Sequence, residues 1–179
     1  MKIVLFGKPG AGKGTQAALL AKKFGIPHIS TGDIFRQHMA NHTLLGEEVR
    51  KVMESGNLVS DELTIRVAES AIRGKYSWIL DGFPRSKDQA IWTFSKYSDA
   101  KYIHLDVSRN VSIARIKVRS LEMSRPEDAT PESISTRFDA YAKITVPAIN
   151  YICLKHRLIE VDGSKTIDEV FQHILSIIE

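Results

Sequence analysis

The sequence holds one cysteine in 179 residues, Cys153 in "NYICLKH". That count excludes a disulfide within the chain and fits a reduced compartment, with Cys153 read as a small half-buried thiol. No apolar run approaches the roughly 20 residues that a bilayer span needs. The opening "MKIVLFG" is too short for the core of a signal peptide and passes straight into a glycine-rich loop. A cytoplasmic protein without a membrane partner is expected. Basic residues exceed acidic ones by only 25 to 21, no five of them are consecutive, and no aromatic alternates with arginine as on a base-stacking surface. Nucleic acid is therefore not the expected partner. The formal charge of +4 points instead to a small polyanion held in a cleft. Low-complexity linkers and internal repeats are also missing. With 43% hydrophobic and 26% charged residues, neither disorder nor membrane residence is suggested. The length fits one α/β unit carrying a short insertion.

What is present is an alternation of strand-like and helical stretches. Five β-type runs, "KIVLF", "PHIS", "WILDG", "AKYIHLDV" and "RLIEVDG", are separated by helical segments. This order predicts a parallel sheet covered on both faces. After the first run, Ala17, Leu20, Ala21 and Phe24 share one helical face, and Gly25 is the expected stop. Val170, Phe171, Ile174 and Ile178 repeat the pattern at the end of the chain. A long helix is expected over 135–155, kinked or divided at Pro147. Residues 30–59 and 120–130 read as insertions into this framework.

The stretch at residues 7–15, "GKPGAGKGT", matches G-x-x-x-x-G-K-[ST] at Gly7, Gly12 and Lys13. Gly14 stands where the pattern has Ser or Thr, and Thr15 follows one step later. Glycines let the backbone curl until successive N–H groups face phosphate oxygens, and the next helix adds the positive end of its dipole. Gly10, Ala11, Gly12 and Gly14 would supply that backbone. Lys13 reaches terminal phosphates as a point charge, and the Thr15 hydroxyl is placed for Mg²⁺. The plainer alternative is a glycine-rich turn capping a helix. A phosphate cradle alone would serve a switch, an ATPase or a kinase.

Three further stretches, "STGDIFR", "LDGFPRSKDQ" and "SRPEDATPESISTRFDAY", follow the loop in the order and spacing of the adenylate kinases, in the nucleoside monophosphate kinase family. The chain resembles that family from residue 2 to the last helix. The resemblance implies an α/β P-loop fold of three layers, with a five-stranded parallel sheet, a helical NMP-binding insertion and a short lid. It implies reversible transfer of a phosphoryl group between Mg-ATP and AMP, giving two ADP, by a monomer. By the same resemblance, Arg36 and Arg85 hold the AMP phosphate with Gly82 beside them, and Arg115 stacks on the ATP adenine. Arg119, Arg125 and Arg137 would clamp the polyphosphate, between the donor and the AMP.

The residues suit that chemistry on their own terms. Two polyanions must be brought together, and arginines stay charged while binding two oxygens each. Arg115 and Arg119 lie four apart, on one helical face. For any single arginine the alternative is a solvated surface charge. Asp81 ends an apolar run at the crevice edge of a buried strand and is the candidate Mg²⁺ holder, through water, or else a turn former before Gly82. The acceptor is already a phosphate oxygen, so no general base is required. His38 and His42 read as a solvated helix face, since no third metal ligand has matching spacing. Thr31 and Gln89 are the expected readers of the acceptor base, Gln89 because its amide both gives and accepts hydrogen bonds. Thr31 and Asp33 are also candidate caps for a helix beginning near Ile34. Thr31 stands where the related UMP/CMP kinases typically carry Ala, which favours AMP over a pyrimidine monophosphate. A UMP/CMP kinase and a non-catalytic nucleotide-binding module are the alternatives.

Only five residues separate Arg119 from Arg125, and the lone cysteine cannot supply a lid zinc site, so no structural zinc is expected. The family's G-R-x-D-D reads here as Ser124, Arg125, Pro126, Glu127 and Asp128, with Glu lengthening one acidic arm and Pro stiffening the stretch.

Overall fold

The computed structural model describes residues 1–122 and 125–179. Strand β1, Lys2–Gly7, is the unbroken apolar run expected of a strand covered on both faces, and Ile3, Val4, Leu5 and Phe6 are all buried. Strands β2 (His28–Ser30), β3 (Trp78–Asp81), β4 (Lys101–Asp106) and β5 (Leu158–Asp162) join it. Among the described residues they form a five-stranded sheet in the order β2-β3-β1-β4-β5, with every pair parallel. The reversal of strand order beside β1 opens a crevice at the carboxyl ends of β1 and β3.

Alternate side chains of β1 feed two cores. Ile3 and Leu5 pack with Ala17 and Leu20 of helix α1 (Lys13–Phe24) and with Val170 and Ile174 of α9 (Ile167–Ile178). Val4 and Phe6 face the other way, with Trp78, Leu80 and Tyr102, toward Ala90 of α5 (Lys87–Lys96) and Ile149 and Ile152 of α8 (Val146–Leu154). Burying each such aliphatic side chain contributes about 1.5–3 kcal/mol, so both faces anchor β1 and the loop that follows it. Helices α2 (Thr31–Ala40), α3 (Leu44–Glu54) and α4 (Asp61–Ile72) lie between β2 and β3. Phe35, Met39, Val49 and Met53 give this part a small core of its own.

Helix ends follow local chemistry, with three departures from the sequence expectation. Gly25 closes α1 in the left-handed region as expected. The cap of α2 is Ser30, whose hydroxyl accepts from the Asp33 N–H; neither Thr31 nor Asp33 serves, because the helix starts directly where β2 stops. His42 lies beyond α2 with φ +48°, and so does not share a helical face with His38. His38 Nδ1 is 2.9 Å from Thr43 Oγ1 and His42 Nδ1 is 3.1 Å from Glu47 Oε1. Cys153 is exposed rather than half-buried, since α8 turns Ile149 and Ile152 inward and leaves it on the outer face.

The expected 135–155 helix is two helices joined by a wider turn. Helix α7, Pro131–Ala140, starts on a capping box between Thr130 and Ser133 and passes into a π-helical turn, Tyr141–Thr145. Pro147 occupies the first turn of α8, where its missing N–H is not needed. Helix α6 is Arg109–Glu122, and a short 3₁₀ turn, Pro126–Asp128, precedes α7. Ser124, named above in the lid motif, lies outside the described residues. None of the helices described is long and apolar enough to cross a membrane.

Candidate active site

The loop between β1 and α1 bends through positions that only glycine occupies without strain. Gly10 has φ +80°, and a Cβ there would sit 2.5 Å from the Ser112 carbonyl oxygen; Gly12 has φ +94° and opens α1 without a side-chain cap. The first backbone N–H groups of α1 are thus left for an anion. At Gly14, where the pattern has Ser or Thr, a Cβ would come within 3.3 Å of Asp81 Oδ2 and crowd that carboxylate.

Lys13 folds back over the loop and donates to the carbonyls of Gly7 at 2.8 Å and Lys8 at 3.0 Å. Burial brings its ammonium down to about 8; Asp81 opposes the shift, while Arg85, Arg137 and Arg119 add to it. Asp81, at the end of β3, is 8% exposed. Burial would raise its carboxyl, but His28, Lys13 and Arg85 hold it below the usual range. His28 Nε2 lies 3.5 Å from Asp81 Oδ2.

A cavity of about 430 Å³ runs from this loop to the helices between β2 and β3. Six cations border it: Lys13, Arg36, Arg85, Arg119, Arg125 and Arg137. Burial lowers the affinity of Arg85, Arg125 and Arg137 for their protons, a sign of positive charge packed into little water. Carboxylates of the 3₁₀ turn partner three of the six. Arg36 donates to Glu127 Oε1 at 2.5 Å and also pairs with Asp33. Asp128, whose side chain is 1% exposed, takes Arg119 on Oδ2 and Arg137 on Oδ1. Arg85 Nε donates to the Gly82 carbonyl at 2.8 Å, and Arg125 Nε is buried without a hydrogen-bond partner among the described residues.

Of the residues picked from sequence, Gly10, Ala11, Gly12, Gly14, Thr15, Thr31, Asp81, Gly82 and Gln89 also border the cavity. Thr31 is 2% exposed and donates its hydroxyl to the Gly82 carbonyl at 3.0 Å. Arg115 stands apart. It lies across the glycine loop, where Nη1 donates to the Gly163 carbonyl at 2.8 Å. Sequence reasoning missed His28, and also Tyr141, which borders the cavity from the π-helical turn with its hydroxyl 3.0 Å from His104 Nε2. The alternation of "PHIS" was an available signal for His28, because it puts His28 and Ser30 on one side of β2. Among the described residues no three His, Cys, Asp or Glu side chains could jointly hold a metal ion.

A parallel sheet, a glycine loop opening a helix and arginines converging on one crevice define a P-loop phosphotransferase. Comparison with known proteins narrows the class. The family model described as adenylate kinase matches residues 5–156. The chain is 38% identical over 187 residues to the adenylate kinase of Bifidobacterium longum, with all of both chains covered. It is 37% identical over 209 residues to that of Caldanaerobacter subterraneus subsp. tengcongensis, covering 97% of this chain and 94% of the relative. With the adenylate kinase of a Cyanothece species it shares 39% identity over 187 residues, 99% of this chain and 95% of the other. The chain belongs to the adenylate kinase family.

Proposed function

We propose that the protein catalyses reversible, Mg²⁺-dependent transfer of the terminal phosphoryl group of ATP to AMP, yielding two ADP. The observation that carries this reading is the single cavity bordered by six cations, with the phosphate loop at one end and Thr31, Arg36 and Gln89 at the other. Two nucleotides carrying several negative charges each repel one another, and a phosphorus atom crosses between them only where fixed positive groups offset that repulsion. On this reading Gly10–Thr15 and Arg115 hold ATP, and Thr31, Arg36, Gly82, Arg85 and Gln89 hold AMP. Lys13, Arg119, Arg125 and Arg137 surround the group in transit.

Glu127 and Asp128 offset part of this positive charge in the meantime, Glu127 on Arg36 and Asp128 between Arg119 and Arg137. A carboxylate oxygen on a guanidinium imitates a phosphate oxygen, so an arriving nucleotide exchanges one anionic partner for another. Thr15 and Asp81 offer hard oxygen donors beside the loop, and Asp81 keeps its charge despite burial, so both fit Mg²⁺. Bound there, the ion would supply positive charge that offsets the charge of the ATP phosphates. No residue need abstract a proton, because the acceptor is an anion already. The same reading makes the enzyme a cytoplasmic monomer acting on small nucleotides, with no need of structural zinc.

The test is direct. Purified protein with Mg-ATP and AMP is expected to form ADP, with CMP, UMP and a GTP donor slower. A protein that binds both nucleotides yet forms no ADP above background is a binding module, and the proposal falls. Faster turnover of CMP than of AMP moves it to the pyrimidine kinases.

A further inference from the structure

A glutamine amide has nearly the same shape with its oxygen and nitrogen exchanged, so only its partners fix which end donates. Gln89 is 1% exposed, borders the cavity, and has two partners that each work one way. The backbone N–H of Arg85 can only donate, and it meets Oε1 at 2.7 Å. The Asp61 carboxylate can only accept, and its Oδ1 takes Nε2 at 2.8 Å. Asp61 Oδ2 accepts the Ser86 hydroxyl at 2.7 Å, which leaves the Ser86 oxygen turned to the Gln89 N–H as cap of α5. Asp61 is itself held as the first residue of α4, where a negative charge is favoured. An exchanged amide would set N–H against N–H at Arg85 and oxygen against oxygen at Asp61.

We propose that Asp61 is a positioning residue that fixes the donor–acceptor order Gln89 presents to the acceptor base, so that the cavity selects a 6-aminopurine over a 6-oxopurine. This deepens the reading given under Proposed function and rests on it. With both partners in place, one N–H and one lone pair of the amide remain for a base. Adenine offers an amino donor beside a ring-nitrogen acceptor, which meets that pair. Hypoxanthine offers a carbonyl acceptor beside a ring N–H, the reverse order, and is matched only by the exchanged amide. Asp61 touches no substrate; it acts through Gln89.

The experiment measures kcat/KM for AMP and for IMP at saturating Mg-ATP in the wild type, Asp61→Asn and Asp61→Ala, with KM for ATP and a thermal melt of each. Asp61→Asn is equal in size and can donate as well as accept, so the acceptor-only restraint on the amide is lifted, leaving the Arg85 N–H alone to fix its order, while the packing is kept. The AMP:IMP ratio is expected to fall at least fivefold in Asp61→Asn and at least tenfold in Asp61→Ala, with KM for ATP unchanged. A ratio within twofold of the wild type in Asp61→Asn overturns the inference, whether or not the alanine variant folds. A lowered melting temperature with the ratio intact does the same, because it marks a purely structural carboxylate. Absence of ADP formation from AMP by the wild type instead overturns the reading on which the inference rests.

Discussion

Replacing Lys13 with methionine should lower turnover and raise stability in the same molecule. Burial brings the ammonium from 10.5 to about 8, and at roughly 1.4 kcal/mol per pH unit the fold spends about 3 kcal/mol to keep Lys13 charged at neutral pH. Methionine fills a similar volume without that charge but loses two hydrogen bonds, to the carbonyls of Gly7 and Lys8, each worth about 1 kcal/mol. The variant is therefore expected to gain about 1 kcal/mol, or roughly 2–4 °C in melting temperature for a chain of this size. Turnover should fall by about 10²–10³, the loss typical of removing one preorganised charge donor. The pH dependence has a definite sign. Between about 8 and 10.5 the unfolded chain keeps the Lys13 proton while the folded chain releases it, so wild-type stability rises with pH across that window relative to the variant. Melts of both proteins from pH 7 to pH 10, alongside an ADP-forming assay, should show the advantage of the variant shrinking as pH rises. A variant that melts below the wild type by a margin independent of pH would refute the reasoning, as would near-normal turnover.

Asp128→Asn leaves Arg119 and Arg137 with a neutral partner in a nearly closed site. A loss of about 3 kcal/mol or more in denaturant unfolding is expected, with a fall in kcat, and an unchanged midpoint would show that the pairing adds nothing. Thr31→Ala removes the hydroxyl that donates to Gly82 and should lower the AMP:CMP ratio of kcat/KM about tenfold. An unaltered ratio would take Thr31 out of base recognition.

Much of the framework was legible because it depends on neighbours in the chain. The apolar run of β1, the glycines of the loop and the faces of α1 and α9 each need only local pattern, and the structure has them where the pattern put them. Positions depending on distant partners were not legible. Arg115 and Arg119 share a helical face, yet long side chains reach different ground: Arg119 turns to Asp128 and the cavity, and Arg115 to the Gly163 carbonyl. Asp61 carried no signal at all, since its significance comes from Gln89, 28 positions away. The cap of α2 lies one residue before Thr31 and three before Asp33, the caps expected, because Ser, Thr and Asp are all competent caps and only the end of β2 selects Ser30. Pro147 did announce a break, but the break itself, at Tyr141–Thr145, lies just before it.

That wide turn lets one continuous stretch meet two unrelated demands. Each residue of an α-helix advances by about 100°, so the additional residue accommodated between α7 and α8 rotates everything downstream by that amount. Arg137 looks into the nucleotide cleft and, beyond the turn, Ile149 and Ile152 look into the core under the sheet. Deleting a single residue between them would force a choice, either swinging the guanidinium out of the cleft or exposing the isoleucines. An irregularity of one residue thus lets chemistry and packing follow separate angular registers along the same segment.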